Sequence, residues 1–291
     1  MFLNCIFCLI AQMKNKTQIC IDKIIVMNKF ISLFLIILSL DNTSLAEPLT
    51  PEDQDIAAIL KAHGTQGTMV IASLNNDIVF IHNASRANQR LSPASTFKIP
   101  NSLIAIEEGI LANQYEKITW DGKKRFLDAW NKDQDLKSAF RYSCVWFYQE
   151  LAKQIGQDKY LSYLKKFNYG NQLLGHDITT FWLGNEGDLK ISPLEQIGFL
   201  QKIYKQELSL SKRTFSILQD IMLEENNDHY NLYSKSGAAT KDWKGHGWYV
   251  GYITSADKTW FFATNILISH FDDLKKRKIV TIESLKKKDL L

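Results

Sequence analysis

Residues that favour strands cluster near the two ends of this chain and leave a long helical stretch between them, and this distribution constrains the fold more than any other feature. Segments 68–74 and 77–81, parted by Asn75-Asn76, carry a hairpin signature. Toward the other end, 232–236, 247–253 and 259–267 predict three more strands, closed by an amphipathic helix over about 274–287. From about 96 to 223 the spacing is helical. Tyr160, Leu161, Leu164 and Phe167 recur on one face with Gly170 as the stop signal, and Ser192-Pro193-Leu194-Glu195 is a capping box that starts a helix through Glu207. A further helix is expected near 53–62. The resulting expectation is an α+β fold: an antiparallel sheet of N- and C-terminal strands packed by terminal helices, with an inserted helical lobe and the site in the cleft between them. No repeat, low-complexity segment or flexible linker divides the chain.

The first 46 residues stand apart from that pattern. From Met27 the chain shows a basic start at Lys29, an apolar stretch over 30–40 broken only by Ser32 and Ser39, and a polar segment ending in Ser44-Leu45-Ala46. This is signal-peptide grammar, expected over 27–46 with the mature chain starting at Glu47, and it implies a periplasmic product. A run of eleven residues falls short of the roughly 20 that span a bilayer, so a membrane anchor is the weaker reading. Residues 1–26 do not fit the pattern and read as an upstream extension or a misassigned start, leaving 47–291 as the functional domain.

Processing changes the chemistry available. Cys5, Cys8 and Cys20 fall in the removed segment, so the mature chain holds only Cys144 and has no partner for an internal disulfide. It carries 31 basic against 29 acidic residues, a nearly balanced surface. The one basic block, 275–278, reads as a solvated helix face rather than a nucleic-acid footprint, so no nucleic-acid partner is expected. The six histidines show no H-x-x-x-H spacing, which argues against a metal site. His246, between Gly245 and Gly247, reads as a turn residue.

Ser95-Thr96-Phe97-Lys98 follows Pro93 at the start of a helix, which puts the Ser95 hydroxyl and the Lys98 amine on one face. Serine needs a base to become a nucleophile. A lysine can serve if burial lowers its pKa or its amine is modified, and the helix start adds N–H groups for an oxyanion. Alone, S-x-x-K is a weak signal, since most occurrences are surface helix residues. Its weight comes from the ordered elements that follow: Ser143-Cys144-Val145, Tyr169-Gly170-Asn171 and Lys235-Ser236-Gly237.

With these motifs the sequence resembles the serine β-lactamase and penicillin-binding-protein superfamily, and within it the class D, oxacillinase-type, β-lactamases. Residues 92–101 (SPASTFKIPN), Tyr169-Gly170-Asn171, Phe181-Trp182-Leu183, Leu189-Lys190-Ile191-Ser192 and Gly247-Trp248-Tyr249-Val250-Gly251 carry the resemblance, which spans about 50–290. It implies that Ser95 attacks the β-lactam carbonyl and is acylated. It also implies that Lys98 is carboxylated by CO2 to N6-carboxylysine and acts as general base, so that CO2 or bicarbonate is required and no other cofactor. An uncharged amine is needed for that modification, which suits apolar neighbours such as Phe97, Val145, Trp182 and Leu183. Trp182 would hold the carbamate through its indole N–H, the one donor that side chain has.

The same resemblance makes Ser143, with Lys235, a proton donor to the departing ring nitrogen, although a serine there could equally cap a helix. Lys235, Ser236 and Arg277 would bind the substrate carboxylate, with Gly237 and Ala238 on the same strand, and Val145 and Leu183 would line the pocket. Arg277 lies in the basic block, where a solvated face is the alternative. The N–H groups of Ser95 and Ala238 would form the oxyanion hole. Tyr169, Gly170 and Asn171 are expected near the site in a structural role.

Two features depart from the family pattern: the stretch after Trp182-Leu183 is about two residues longer, through Gly184 to Asp188, and serine stands at 236 where threonine is usual. The expected partners are β-lactam small molecules, with no stable membrane association after processing, in a monomer or homodimer. A penicillin-binding transpeptidase or carboxypeptidase and a non-hydrolytic β-lactam sensor use the same parts and remain the alternatives. A sensor of this fold is expected at the end of a long multi-span chain, and the single short signal here argues against that reading.

Overall fold

A computed structural model describes residues 52–184, 188–255 and 258–291. The prefix 1–26, the signal segment 27–46 and three residues of the lengthened loop, 185–187, lie outside them. Helix α1 (Gln54–Ala62) leads into strands β1 (Gly67–Ser73) and β2 (Val79–His82) and the short α2 (Ala84–Asn88). A 3-10 turn, Ala94–Phe97, runs into α3 (Lys98–Glu107). A two-stranded ribbon follows, β3 (Lys117–Ile118) with β4 (Gln134–Asp135), and then α4 (Leu136–Arg141), α5 (Val145–Ile155), α6 (Gln157–Phe167), α7 (Pro193–Tyr204) and α8 (Lys212–Met222). The chain closes with β5 (Leu223–Asn226), β6 (Asn231–Lys241), β7 (Lys244–Ser255), β8 (Lys258–Ile268) and α9 (Asp273–Lys287).

The main sheet has the order β2-β1-β8-β7-β6-β5, with every pairing antiparallel. The N-terminal hairpin therefore joins the C-terminal strands through β1 and β8, as the strand distribution predicts. Side-chain alternation sends each strand's residues to two separate cores. Val70, Ala72, Phe261, Ala263, Trp248 and Val250 pack with the helical lobe. Met69, Ile71, Phe262, Ile266, Tyr249 and Ile253 pack with Ile56 and Leu60 of α1 and Val280 and Leu285 of α9. The sheet is thus the middle of three layers, which explains why β1 is buried along almost its whole length.

Several local expectations change. The helix that the Ser192 capping box starts is as predicted at its N-terminus, with Glu195 reaching back to the Ser192 N–H, but it ends at Tyr204 rather than Glu207. Helix α6 stops at Phe167 because Asn168 takes the left-handed conformation; Gly170 comes later, and its own left-handed turn (φ +55°) has a different cause. A Cβ there would sit 2.0 Å from the Lys190 carbonyl oxygen, so only glycine fits. The ribbon β3–β4 and the edge strand β5 carry no strong sequence signal at two and four residues. His246 is not in a turn: it lies within β7, paired with Ala239 on one side and Leu267 on the other.

Candidate active site

Ser95 lies in the 3-10 turn before α3, where residues three apart eclipse one another. Lys98 is directly above it, and its Nζ donates to Ser95 Oγ at 2.8 Å. The lysine is fully buried. Loss of hydration drops its pKa to about 7, countered only slightly by the Cys144 thiol, so a large share of the amine is uncharged at neutral pH. Its nitrogen stands 5.1 Å from the centre of the Tyr148 ring, a contact the sequence does not announce. Among the described residues no carboxylate pairs with Lys98.

The apolar residues expected near this lysine are buried or half-buried. Phe97 and Trp182 are both fully buried, and their rings stack at 5.7 Å with 27° between planes. Phe181 meets Phe97 and Trp182 edge-on, each at 5.0 Å. Val145, the first residue of α5, and Leu183 are half-buried, and Leu183 packs on the lobe's core. The Trp182 indole N–H is buried with no acceptor among the described residues. A buried donor left unpaired costs about 1–3 kcal/mol. The Trp182 ring stacks on Phe97, the residue before Lys98, so this donor has capacity for an acceptor that the described residues do not supply.

Ser143 does not cap α5. Cys144 holds the N-cap position with no side-chain hydrogen bond, and Ser143, in a left-handed conformation (φ +54°), accepts from Lys235 Nζ at 2.5 Å. Lys235 reaches it by strand parity: it shares a face with Tyr233, which packs on the helical lobe. Burial holds the Lys235 pKa well below the usual lysine value, helped by the nearby charges of Lys98 and Arg277. Gly237, two residues on, lies against the nucleophile turn, where a Cβ would stand 3.2 Å from Pro93 O, Ser95 N and Thr96 N. Ser236 is half-buried and Ala238 exposed.

Arg277 is not on a solvated face. Its side chain turns inward from α9, its Nε donating to Leu274 O at 2.6 Å and its Nη1 to the Gly237 carbonyl. Burial lowers its pKa to about 10, so it keeps its charge at neutral pH, and no carboxylate of the described residues pairs with it. The space it needs comes from Gly247 on β7, whose Cβ would lie 2.6 Å from Arg277 Cδ. The glycine was legible in the sequence, and its partner was not. Lys235, Ser236 and Arg277 line a cavity of about 1280 Å³ that continues past Phe140, Tyr142 and Leu274; Ser95 and Lys98 are not among its walls.

Asn171 ties down the segment after the lengthened loop. Its side chain donates to Asp188 O at 2.7 Å and accepts from Lys190 N–H at 2.9 Å, while Leu189 N–H donates to Phe181 O at 3.1 Å. The loop after Trp182 is therefore closed at its base. The described residues contain no cluster of three or more His, Cys, Asp or Glu able to hold a metal.

A serine turn packed on an antiparallel sheet, with a buried lysine behind it and a second Ser–Lys pair between sheet and helices, is the arrangement of the penicillin-recognising serine enzymes. The penicillin-binding-protein transpeptidase domain profile matches residues 60–286. The chain is 40% identical over 227 residues, 78% of its length and 82% of the relative's, to a probable β-lactamase, YbxI, of Bacillus subtilis. It is 39% identical to the β-lactamase OXA-48 of Klebsiella pneumoniae, covering 82% of this chain and 90% of that one. A class D β-lactamase structure from Nostoc superposes with a TM-score of 0.79 at 42% identity, covering 81% of this chain and 99% of that one. The class D enzyme FUS-1 (OXA-85) of Fusobacterium nucleatum gives 0.79 at 38% identity, covering 83% and 100%. The chain belongs to the class D β-lactamases.

Proposed function

We propose that this enzyme hydrolyses the amide of penicillins and related β-lactams, giving antibiotic resistance, through an acyl-enzyme on Ser95 with carboxylated Lys98 as general base. The observation that carries this reading is the Lys98 amine: fully buried, uncharged for much of the time at neutral pH, and 2.8 Å from the nucleophile. An uncharged amine adds CO2, and the orphaned Trp182 N–H is a donor in need of an anion beside Phe97. That modification supplies a carboxylate base in a site that has none.

The remaining roles are those the family resemblance assigns. Ser95 loses its proton to the base as Oγ bonds the β-lactam carbonyl carbon. The N–H groups of Ser95 and Ala238 receive the negative charge on the oxygen. As the C–N bond breaks, Ser143 gives its proton to the ring nitrogen and takes one from Lys235, to which it is already hydrogen-bonded. Arg277, with Lys235 and Ser236, binds the substrate carboxylate; a buried guanidinium without a carboxylate partner supports this assignment. The base passes the Ser95 proton back to Lys235 through Ser143, which restores both groups; it then takes a proton from the water that attacks the ester carbonyl and returns it to Ser95 Oγ as the ester C–O bond breaks. Val145 and Leu183 line the substrate pocket, and no metal is assigned a role.

The periplasm is the proposed location, reached through cleavage after Ala46. Mixing purified protein with a chromogenic cephalosporin and with a penicillin tests the reading. Many product molecules per enzyme are expected. A single stoichiometric burst followed by silence would instead mark a penicillin-binding transpeptidase or a sensor, in which deacylation fails.

A further inference from the structure

The nucleophile turn is held in an unfavourable backbone conformation. Ala94, immediately before Ser95, has φ +48°, a left-handed value that a non-glycine residue adopts at a cost of about 1–2 kcal/mol unless its surroundings impose it. Thr96 supports the turn from inside, its N–H donating to Pro93 O at 3.1 Å and its Oγ1 at 2.7 Å. The external support comes from β7. The Ser92 carbonyl, at the entry to the turn, accepts two side-chain hydrogen bonds, from Trp248 Nε1 at 2.8 Å and His246 Nε2 at 2.9 Å. The hydroxyl of the same Ser92 donates to the Trp182 carbonyl at 3.2 Å. Ser92 is buried, so water does not substitute freely for a lost partner.

His246 reaches Ser92 because it shares strand parity with Trp248 and so faces the helical lobe; the two rings meet edge-on at 6.0 Å. Its glycine neighbours are there for packing. Gly245 would place a Cβ 2.1 Å from Ala239 O, and Gly247 makes room for Arg277. Resting on the functional reading above, we infer that His246 is a positioning residue. By donating to the Ser92 carbonyl it fixes the Ser95 turn, and through the Ser92 hydroxyl it fixes the Trp182 segment that holds the base. One imidazole thus sets both the nucleophile and the group that activates it, without touching substrate.

His246→Leu removes the donor and keeps the bulk; His246→Gln places an amide N–H where it can still reach Ser92. The Leu variant is expected to lower kcat roughly 10- to 100-fold, the scale that a misplacement of about 1 Å brings, with KM nearly unchanged. It should also need more bicarbonate for half-maximal activity, because the Trp182 support is loosened. The Gln variant should recover kcat to within a few-fold and the wild-type bicarbonate requirement. Thermal melts show whether the Leu variant is folded; if it is not, the comparison of Gln with His246→Thr, which is too short to reach, decides. Wild-type kcat and bicarbonate dependence in a variant without a donor overturns the inference, as does equal loss in the Gln and donor-free variants. Either outcome leaves the functional reading standing as long as the wild-type protein turns over β-lactam; absence of turnover in the wild type overturns that reading instead.

Discussion

Lys235 on β6 and Ser143 ahead of α5 are 92 residues apart in sequence and 2.5 Å apart in space, Nζ to Oγ. This bond joins the sheet to the helical lobe across the catalytic cleft. Among the described residues the one other acceptor of Lys235 is its neighbour's carbonyl, Ser236 O, at 3.0 Å. Ser143 is thus the side-chain partner of the buried Lys235 amine.

Ser143→Ala breaks that relay. Acylation of Ser95 should slow roughly 100-fold or more, the scale of one general acid, while the deacylation rate of preformed acyl-enzyme changes much less. Rapid-quench measurement of the two steps separates them; equal effects on both would remove Ser143 from the leaving-group role.

Arg277→Ala should cost about 2–3 kcal/mol in kcat/KM for β-lactams that bear the carboxylate, the scale of a lost charged hydrogen bond. An unchanged kcat/KM would leave the carboxylate to Lys235 and Ser236 alone.

Burial of Lys98 has a stability cost with a defined pH window. An unfolded chain keeps this proton up to about pH 10.5, whereas the folded protein releases it near pH 7. The folded state is therefore penalised below pH 10.5, and the penalty grows until about pH 7 and is constant below it. Lys98→Met, expected to abolish turnover, should raise Tm at pH 6 and lose that advantage by pH 10 or 11. Melting curves of both proteins at the two pH values provide the check. A gain that does not shrink with rising pH would mean that the buried amine is not the source of the instability.

Trp182→Phe keeps an aromatic ring against Phe97 and deletes the orphaned N–H together with part of the indole. In CO2-poor buffer its activity should fall well below wild type, and added bicarbonate should restore part of it. A 13C signal for a carbamate on Lys98, strong in the wild type and weak in the variant, is the direct readout. If the wild type shows no such signal and no response to bicarbonate, the base is an unmodified lysine.

Exported protein should begin at Glu47. Intact-mass analysis of the periplasmic fraction settles this: a product that retains Met27 contradicts cleavage after Ala46, and one that retains Met1 also restores the prefix to the mature chain.

Much of this enzyme was legible in its residues because the signals are local. Ser95 and Lys98 are one turn apart, so their meeting needs only a helix start, and the Ser192 capping box contains its own geometry within four residues. The sheet was legible from period-two stretches at both ends, since the N-terminal hairpin had nowhere else to bury its two apolar faces. The carboxylate and proton-relay residues were recognised by resemblance, and their chemistry depended on contacts over long separations. Only the folded chain shows that Arg277 turns into the space left by Gly247, that Ser143 faces Lys235 instead of capping α5, and that His246 sits in a strand. Glycines beside a histidine look the same in sequence whether they make a turn or admit another side chain, because a missing Cβ says nothing about which atoms will occupy its place. Burial is the second thing that tertiary structure decided. Nothing in S-x-x-K states the pKa of its lysine; the layers packed around Lys98 strip its water and bring it to about 7.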